Sequence, residues 1–542
     1  MKPRNTTWLR PAAGLLVVAA LTAACTSSPG GKNTAAPGQT TKPSPSTYQV
    51  GMIGDDSGGE PVKGGTLTFG AYAEAAVLDP AQTIVAGSTG GLEMAAIYDV
   101  LMRWDSTAGE VKPQLAKGLE AGDGYKKWTL TLRDGVTFSD GTPLNAKAVK
   151  WSLDRYVEKG ADEARLWKDN VASVETPDDS TVVFTLAKKW PTFAYMLTTG
   201  PGMIVAKSSD DGGTFTPVGA GAFTFGTYAP HEETVLNARA DYWDGRPNLD
   251  KIRVIYMTDP NALLDTLRSG GAQAAFFRDP ALIDKALGDG FHGYMNLVAL
   301  GNVGVINASE GRPGADPRVR QALFHAIKPE VIYQRSYNGA GVASNEVFPD
   351  FSRWHTDNAS LAYDPDKARE LLKQAKADGF DGKITYLGRQ DPSARATALA
   401  IKSMLESVGF QVELDLVRAV ADQITKVAVN KDYDVAGWGI SWREAGPYGR
   451  MFATLHSKGN LSVGMHTGPE MDALIDEFQV AETEDEQRAI MGRIQKQWNT
   501  DVPALVYGPT PEFLAWQKNV HGVEGSVNSM ILLDDAWIAP AG

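Results

Sequence analysis

Between Asp364 and Trp438 the chain alternates helix and strand signals, and this alternation constrains the fold more than any other feature of the sequence. Asp364 before Pro365 is an N-cap followed by proline at the first helical position. Ala368, Leu371, Leu372 and Ala375 form an apolar face, and Gly379 ends the helix. A strand is expected at Ile384–Leu387, a helix over 394–408 closed by Gly409, a strand at Val412–Leu416, a helix near 419–429, and a strand at Tyr433–Gly437. This β-α-β-α-β order implies a largely parallel sheet with right-handed crossovers. Ligands of such sheets sit beyond the carboxyl ends of the strands, which puts Gly437-Trp438-Gly439-Ile440-Ser441-Trp442 in the expected binding region.

The rest of the body carries similar punctuation. Leu67, Phe69 and Ala71 alternate with polar or small residues, as do Trp128, Leu130 and Leu132, so both stretches read as strands. Val149, Leu153 and Tyr156 recur at helical spacing, and Thr483 to Glu486 is a capping box opening a helix that carries Ile490, Ile494 and Trp498. At 542 residues the chain exceeds what one hydrophobic core supports, so more than one domain is expected. The 52 basic against 65 acidic residues argue against a nucleic-acid partner, which needs a basic footprint.

The single cysteine excludes an internal disulfide, a CxxC redox pair and a thiolate zinc cage. Its position is informative. Lys2, Arg4 and Arg10 make a basic start, Pro11–Ala24 is apolar but short for a bilayer span, and Leu21-Thr22-Ala23-Ala24-Cys25 resembles a bacterial lipobox. Thr22 stands where an apolar branched residue is usual. The expectation is a signal peptide over 1–24, acylation at Cys25 and attachment to the cell membrane from outside the cytoplasm; the alternative is a plain secretory signal with an incidental cysteine. Residues 25–63, rich in Ser, Thr, Gly, Pro and Lys, read as a flexible tether.

No GxSxG, HExxH, P-loop or helix-opening GxGxxG occurs, and the histidines match no metal spacing. Neither a cofactor nor a metal is expected. The informative cluster is aromatic and glycine-containing. Trp438 and Trp442 offer large apolar faces, and Gly437 and Gly439 beside them let a ligand approach the backbone. The competing explanation for both indoles is core packing.

The stretch Trp128–Tyr156, WTLTLRDGVTFSDGTPLNAKAVKWSLDRY, resembles the signature of bacterial extracellular solute-binding proteins, family 5, the peptide/nickel class. Further matches follow in family order: Leu78-Asp79-Pro80, Ile97-Tyr98-Asp99 to Asp105, Pro217–Phe223, Asp241-Tyr242-Trp243, Asp316–Ala322, Tyr363-Asp364-Pro365 and Gly437-Trp438. Together they cover nearly all of 64–542. The resemblance implies an α/β, two-lobed, hinged periplasmic-binding-protein fold (type II, cluster C-like) with an extra inserted domain. It also implies a monomeric binder, not an enzyme, that hands a small solute to the permease subunits of an ABC importer. The expected division is lobe I over 64–105, 199–285 and 509–542, an inserted domain over 106–198, and lobe II over 286–508.

Relatives that bind peptides place an aspartate shortly after Gly-Trp to pair with the peptide ammonium; this chain has Ser441 there, with Glu444 three residues on as a substitute if the loop is reshaped. Arg389 falls where relatives can carry a carboxylate-binding arginine, its alternative being a surface charge. Tyr72 completes the candidate contacts. Short peptides or a similar polar organic solute are the expected ligands. An oligosaccharide or metal chelate on the same fold, and a secreted hydrolase, are the alternatives.

Overall fold

The computed structural model describes residues 48–54, 58–210 and 213–540. The expected signal peptide, Cys25 and the tether up to residue 47 lie outside the described residues. Among the described residues no helix is long and apolar enough to cross a membrane.

The alternation after Asp364 folds as its punctuation dictates. Asp364 caps the helix Pro365–Ala377 by accepting from the N–H groups of Asp366 and Lys367, at 3.1 and 2.9 Å. The strands Lys383–Arg389 and Gln411–Val417 pair in parallel along their whole length, and Val435–Trp438 runs parallel to Lys383–Arg389 on its other side. The helix Pro392–Ser407 makes the first crossover. The expected helix near 419–429 is two pieces, an α-turn Val420–Ile424 continued by a π-turn Thr425–Val429.

These three strands form one end of an 11-stranded sheet whose other end holds Thr66–Ala71, Lys251–Tyr256, Glu233–Ala238 and Phe223–Ala229. Between the ends run two long antiparallel strands, His292–Ile306 and Ala504–Trp516. They pair regularly from His292↔Trp516 to Val298↔Thr510, lose register, and resume at Asn302↔Gly508. At the break Leu300 holds φ 53° and Gly508 φ 155°. A Cβ on Gly508 would overlap the carbonyl of Val342, so this left-handed position also needs glycine for space. The sheet is thus continuous from end to end, with its longest strand pair interrupted between Val298 and Asn302.

A separate four-stranded antiparallel sheet, ordered Ala116–Gly122, Lys127–Leu132, Thr181–Leu186 and Val171–Glu175, makes up the region expected as an insertion. The expected boundary at 105/106 falls inside a hairpin that pairs Met102–Asp105 with Glu110–Pro113. Helix Ala146–Glu158 covers this sheet, capped by Asn145, whose side chain accepts from Ala148 N at 3.0 Å. Its Arg155 forms a two-pronged ion pair with the fully buried Asp79, at 2.9 and 2.7 Å, and also binds Asp210. That pair gives the Leu78-Asp79-Pro80 motif a physical role, tying the start of the body to the insertion.

One expectation needs correction. The segment read as tether through residue 63 is docked at 48–53. Tyr48 is buried, with its hydroxyl bonded to Asp284 and accepting from Gly341 N at 3.1 Å. Gly51–Ile53 adds a short strand against Gly293–Met295. One aromatic ring with a satisfied hydroxyl and a sheet edge open to pairing suffice to hold these residues, although the flanking composition is polar.

Candidate functional site

A cavity of about 650 Å³ opens on the sheet at the register break. One wall comes from the carboxyl ends of Thr66–Ala71 and Ala274–Phe277, which deliver Tyr72, Phe276 and Arg278. The facing wall comes from the carboxyl ends of Lys383–Arg389 and Val435–Trp438, which deliver Arg389, Trp438, Gly439 and Ser441. Gly301, Asn302 and Pro509–Pro511 form the floor at the junction of the long strands. The position follows the strand-end rule for open α/β sheets.

The polar groups fall into used and unused sets. The carboxylate of Asp279 caps helix Pro280–Gly288, accepting from Ala281 N at 2.9 Å and Leu282 N at 3.2 Å. Arg389 pairs with Asp391 at 3.0 Å, and Asp391 in turn caps helix Pro392–Ser407. Arg278 pairs with the buried Glu512 at 3.3 Å and lies 5.8 Å from the centre of the Tyr72 ring. Tyr72 is 46% exposed, an aromatic face presented to the cavity. The hydroxyl of Ser441 and the indole N–H of Trp438 make no hydrogen bond among the described residues and remain available. Burial pushes the phenol of Tyr337, on helix Pro329–Tyr337, up to about 12, so it lines the cavity as a neutral group.

Of the residues expected from the sequence, the structure brings together Tyr72, Arg389, Gly437, Trp438, Gly439 and Ser441. It separates Trp442 and Glu444 from them. Trp442 is fully buried, donates its indole N–H to Thr454 at 3.1 Å and meets Trp498 edge-on at 6.0 Å, which assigns it to the core. Glu444 faces a neighbouring cavity, and its carboxylate is occupied by Ser352 Oγ at 2.9 Å and Arg353 N at 2.9 Å. It therefore does not stand in for an amine-binding aspartate in this cleft. The glycines also have a more internal reason than ligand access. A Cβ at Gly437 would sit 2.9 Å from the Tyr386 hydroxyl, and one at Gly439 would sit 3.0 Å from the Gly301 carbonyl. The carbonyl of Gly437 is already taken by Gln423 at 2.7 Å.

Sequence reasoning missed Arg278, Tyr333, Tyr337 and Gln423. Arg278 carried a signal: it ends the apolar run Ala274–Phe277 and precedes Asp279-Pro280, the same cap-and-proline syntax used at Asp364. The two tyrosines stand on helix Pro329–Tyr337, which no strand-end argument covers.

A cleft of this size between two lobes joined by long paired strands, walled by aromatic rings and a few convergent polar groups, defines a solute-binding protein of the periplasmic type. The family described as bacterial extracellular solute-binding proteins, family 5 Middle, matches residues 110–462, and the chain belongs to that family. A putative ABC transporter peptide-binding protein of Brucella ovis is 31% identical over 351 residues, covering 60% of this chain and 64% of the relative. The glutathione-binding protein GsiB of Salmonella typhimurium is 33% identical over 320 residues, covering 56% of this chain and 61% of that protein. The matches thus span under two-thirds of these relatives' lengths. Among solved structures, the oligopeptide-binding protein AppA from Bacillus subtilis, in complex with a nonapeptide, superposes with TM-score 0.74 at 21% identity, covering 89% of this chain and 100% of that one. AgaA from A. tumefacien R10, in complex with agropinic acid, superposes with TM-score 0.75 at 23% identity over 88% and 99%. At these identities the two structures establish the shared fold alone.

Proposed function

We propose that this protein captures a carboxylate-bearing organic solute, with short peptides the foremost class, in the interlobe cleft and delivers it to an ABC importer. The observation that carries this reading is the strand-end cavity at the register break, where Trp438 and Ser441 face Tyr72 across a floor that includes Asn302 and Thr510. Ligand contact with both walls favours the closed arrangement by its differential affinity for that state, and closure is what a permease can distinguish. Ser441 in place of an aspartate removes the counter-ion for a ligand ammonium, while arginines stand on both walls. That balance favours solutes that carry acidic groups. The relatives named as peptide- and glutathione-binding support the same solute class.

Within this reading lobe I comprises 64–105, 199–285 and 509–542, lobe II 286–508, and the inserted domain 106–198. Loss of register between Val298 and Asn302 supports a first crossing later than residue 286. Acylation at Cys25 holds the protein to the outer side of the cell membrane. The test is a thermal-shift survey of the mature protein with di- to pentapeptides, glutathione, opines, oligosaccharides and metal chelates. A rise with acidic or peptidic solutes is expected, and a rise confined to sugars or chelates contradicts the reading.

A further inference from the structure

The cleft does not end at Ser441. Val298 lines a second cavity of about 130 Å³, and its partner across the strand pair, Thr510, lines the cleft, so the two spaces adjoin across one residue pair. Arg443 lines that second cavity and also a third, of about 40 Å³, where Glu163 and Tyr195 of the insertion face Arg450 and Asn528. The three spaces share one wall, the segment Gly437–Arg450.

Six arginines line these spaces, and five have partners within the chain. Arg278 pairs with Glu512 at 3.3 Å, Arg389 with Asp391 at 3.0 Å, Arg450 with Asp162 at 2.9 Å and Arg165 with Asp169 at 2.8 Å. Arg353 donates to the carbonyls of Glu444 and Ala445, at 3.3 and 2.8 Å. Arg443 alone makes no hydrogen bond and no ion pair among the described residues. The side chain is half-buried; its partial loss of solvent, and then the charge of Arg450, push its pKa down. A guanidinium presents five donors in a rigid planar fork, and here that fork opens onto the two cavities and is not spent on the chain. The carboxyl group of Glu163, in the same cavity, accepts from Thr199 at 2.8 Å, and burial pushes it up to about 7, so near neutral pH it is a weak counter-ion.

We propose that Arg443 is the principal receptor for a solute carboxylate, holding it in the guanidinium fork in the small cavities next to the cleft, at the end of the ligand remote from Arg389. The inference rests on reading the cleft as a solute site. It reverses the expected ranking of the arginines, because Arg389 already has a counter-ion and Arg443 does not. It also makes the insertion part of the ligand chamber, since Glu163 and Tyr195 line the cavity that Arg443 lines.

Three readouts on the mature protein test this. First, ligand-free Arg443→Met should melt close to the wild type, because the half-buried guanidinium makes no bond within the chain that the variant would lose. If instead Arg443→Met and Glu163→Gln each lower Tm and the double variant lowers it no further, Arg443 belongs to an internal bridge and the proposal falls. Second, acetate alone should raise the Tm of the wild type and not of Arg443→Met, with Arg443→Lys between them; equal responses, or none in the wild type, overturn it. Third, with glutathione or trialanine, Arg443→Met should lose about 10- to 100-fold in affinity and Arg389→Gln distinctly less, whereas the amide of trialanine should bind wild type and Arg443→Met alike. The opposite ranking of the two arginines overturns the proposal. If neither solute binds the wild type, the peptide reading of the cleft fails, while melting and acetate still decide the role of Arg443.

Discussion

The backbone N–H of Ser441 donates to the carbonyl of Leu300 at 3.2 Å, and both residues hold left-handed backbones, φ 58° and 53°. Ile440 N donates to the same carbonyl at 2.9 Å. The loop that walls the cleft is therefore bonded directly to the register break in the long strand pair. Two non-glycine residues in the left-handed region cost free energy that the surrounding structure must offset, and such positions concentrate at binding sites and hinges. Any group that contacts Ser441 is mechanically close to the junction.

Ser441 invites a gain-of-selectivity test. Ser441→Asp restores a carboxylate in the cleft without new bulk beyond two heavy atoms. It should strengthen binding of peptides with a free N-terminal ammonium relative to their N-acetylated forms by about tenfold, in line with a charge-assisted hydrogen bond. Calorimetric titration of the two forms checks this, and an unchanged ratio would place the ligand amine elsewhere.

Trp438 presents an aromatic face to the cleft while part of it packs on the core. Trp438→Ala should weaken solute binding by about 1–3 kcal/mol while the protein still folds. Trp442→Ala should do the reverse, lowering stability by about 3–5 kcal/mol through a core cavity, with its effect on affinity secondary. Urea unfolding together with titration separates the two tryptophans.

The pair between Asp79 and Arg155 predicts a pH dependence. Burial alone would raise the Asp79 pKa, but the hydrogen bonds and charge of Arg155 overcome it and hold the carboxyl below its usual value. A carboxyl whose folded pKa is depressed adds stability that is fully present above its unfolded pKa and is lost as pH falls through the folded pKa. Wild-type stability should therefore drop below about pH 4, and Asp79→Asn should flatten that part of the profile. The same substitution should cost about 3–5 kcal/mol at neutral pH by stranding part of a buried guanidinium.

Tyr48 anchors the segment that precedes the body. Tyr48→Ala should release residues 48–53, exposing the edge of the long strand at Gly293–Met295. Amide exchange there should accelerate while ligand affinity stays near wild type. Unchanged protection would mean that the short strand holds without its aromatic anchor.

Much of the lobe II framework was legible because its signals are local. Aspartate before proline at residue 364 caps its helix through bonds to residues two and three positions on, and period-2 or helical spacing needs only neighbours. The junction was not legible. Val298 and Thr510 pair across more than two hundred residues, and nothing near either one announces the lost register. The cleft loop was half legible for a related reason. Trp438 and Ser441 fall where strand-end reasoning puts them, but the left-handed turn at Ser441 sends Trp442 into the core and Glu444 to another cavity. Arg443 lies between those two residues, and only its lack of a partner in three dimensions sets it apart.

The most direct test of the account is native mass spectrometry of the gently purified mature protein, with the released molecule identified after unfolding. The account predicts one carboxylate-bearing organic solute per chain, retained by the wild type and lost from Trp438→Ala. A retained sugar or metal chelate, or an acidic solute held equally well by Trp438→Ala, would contradict it.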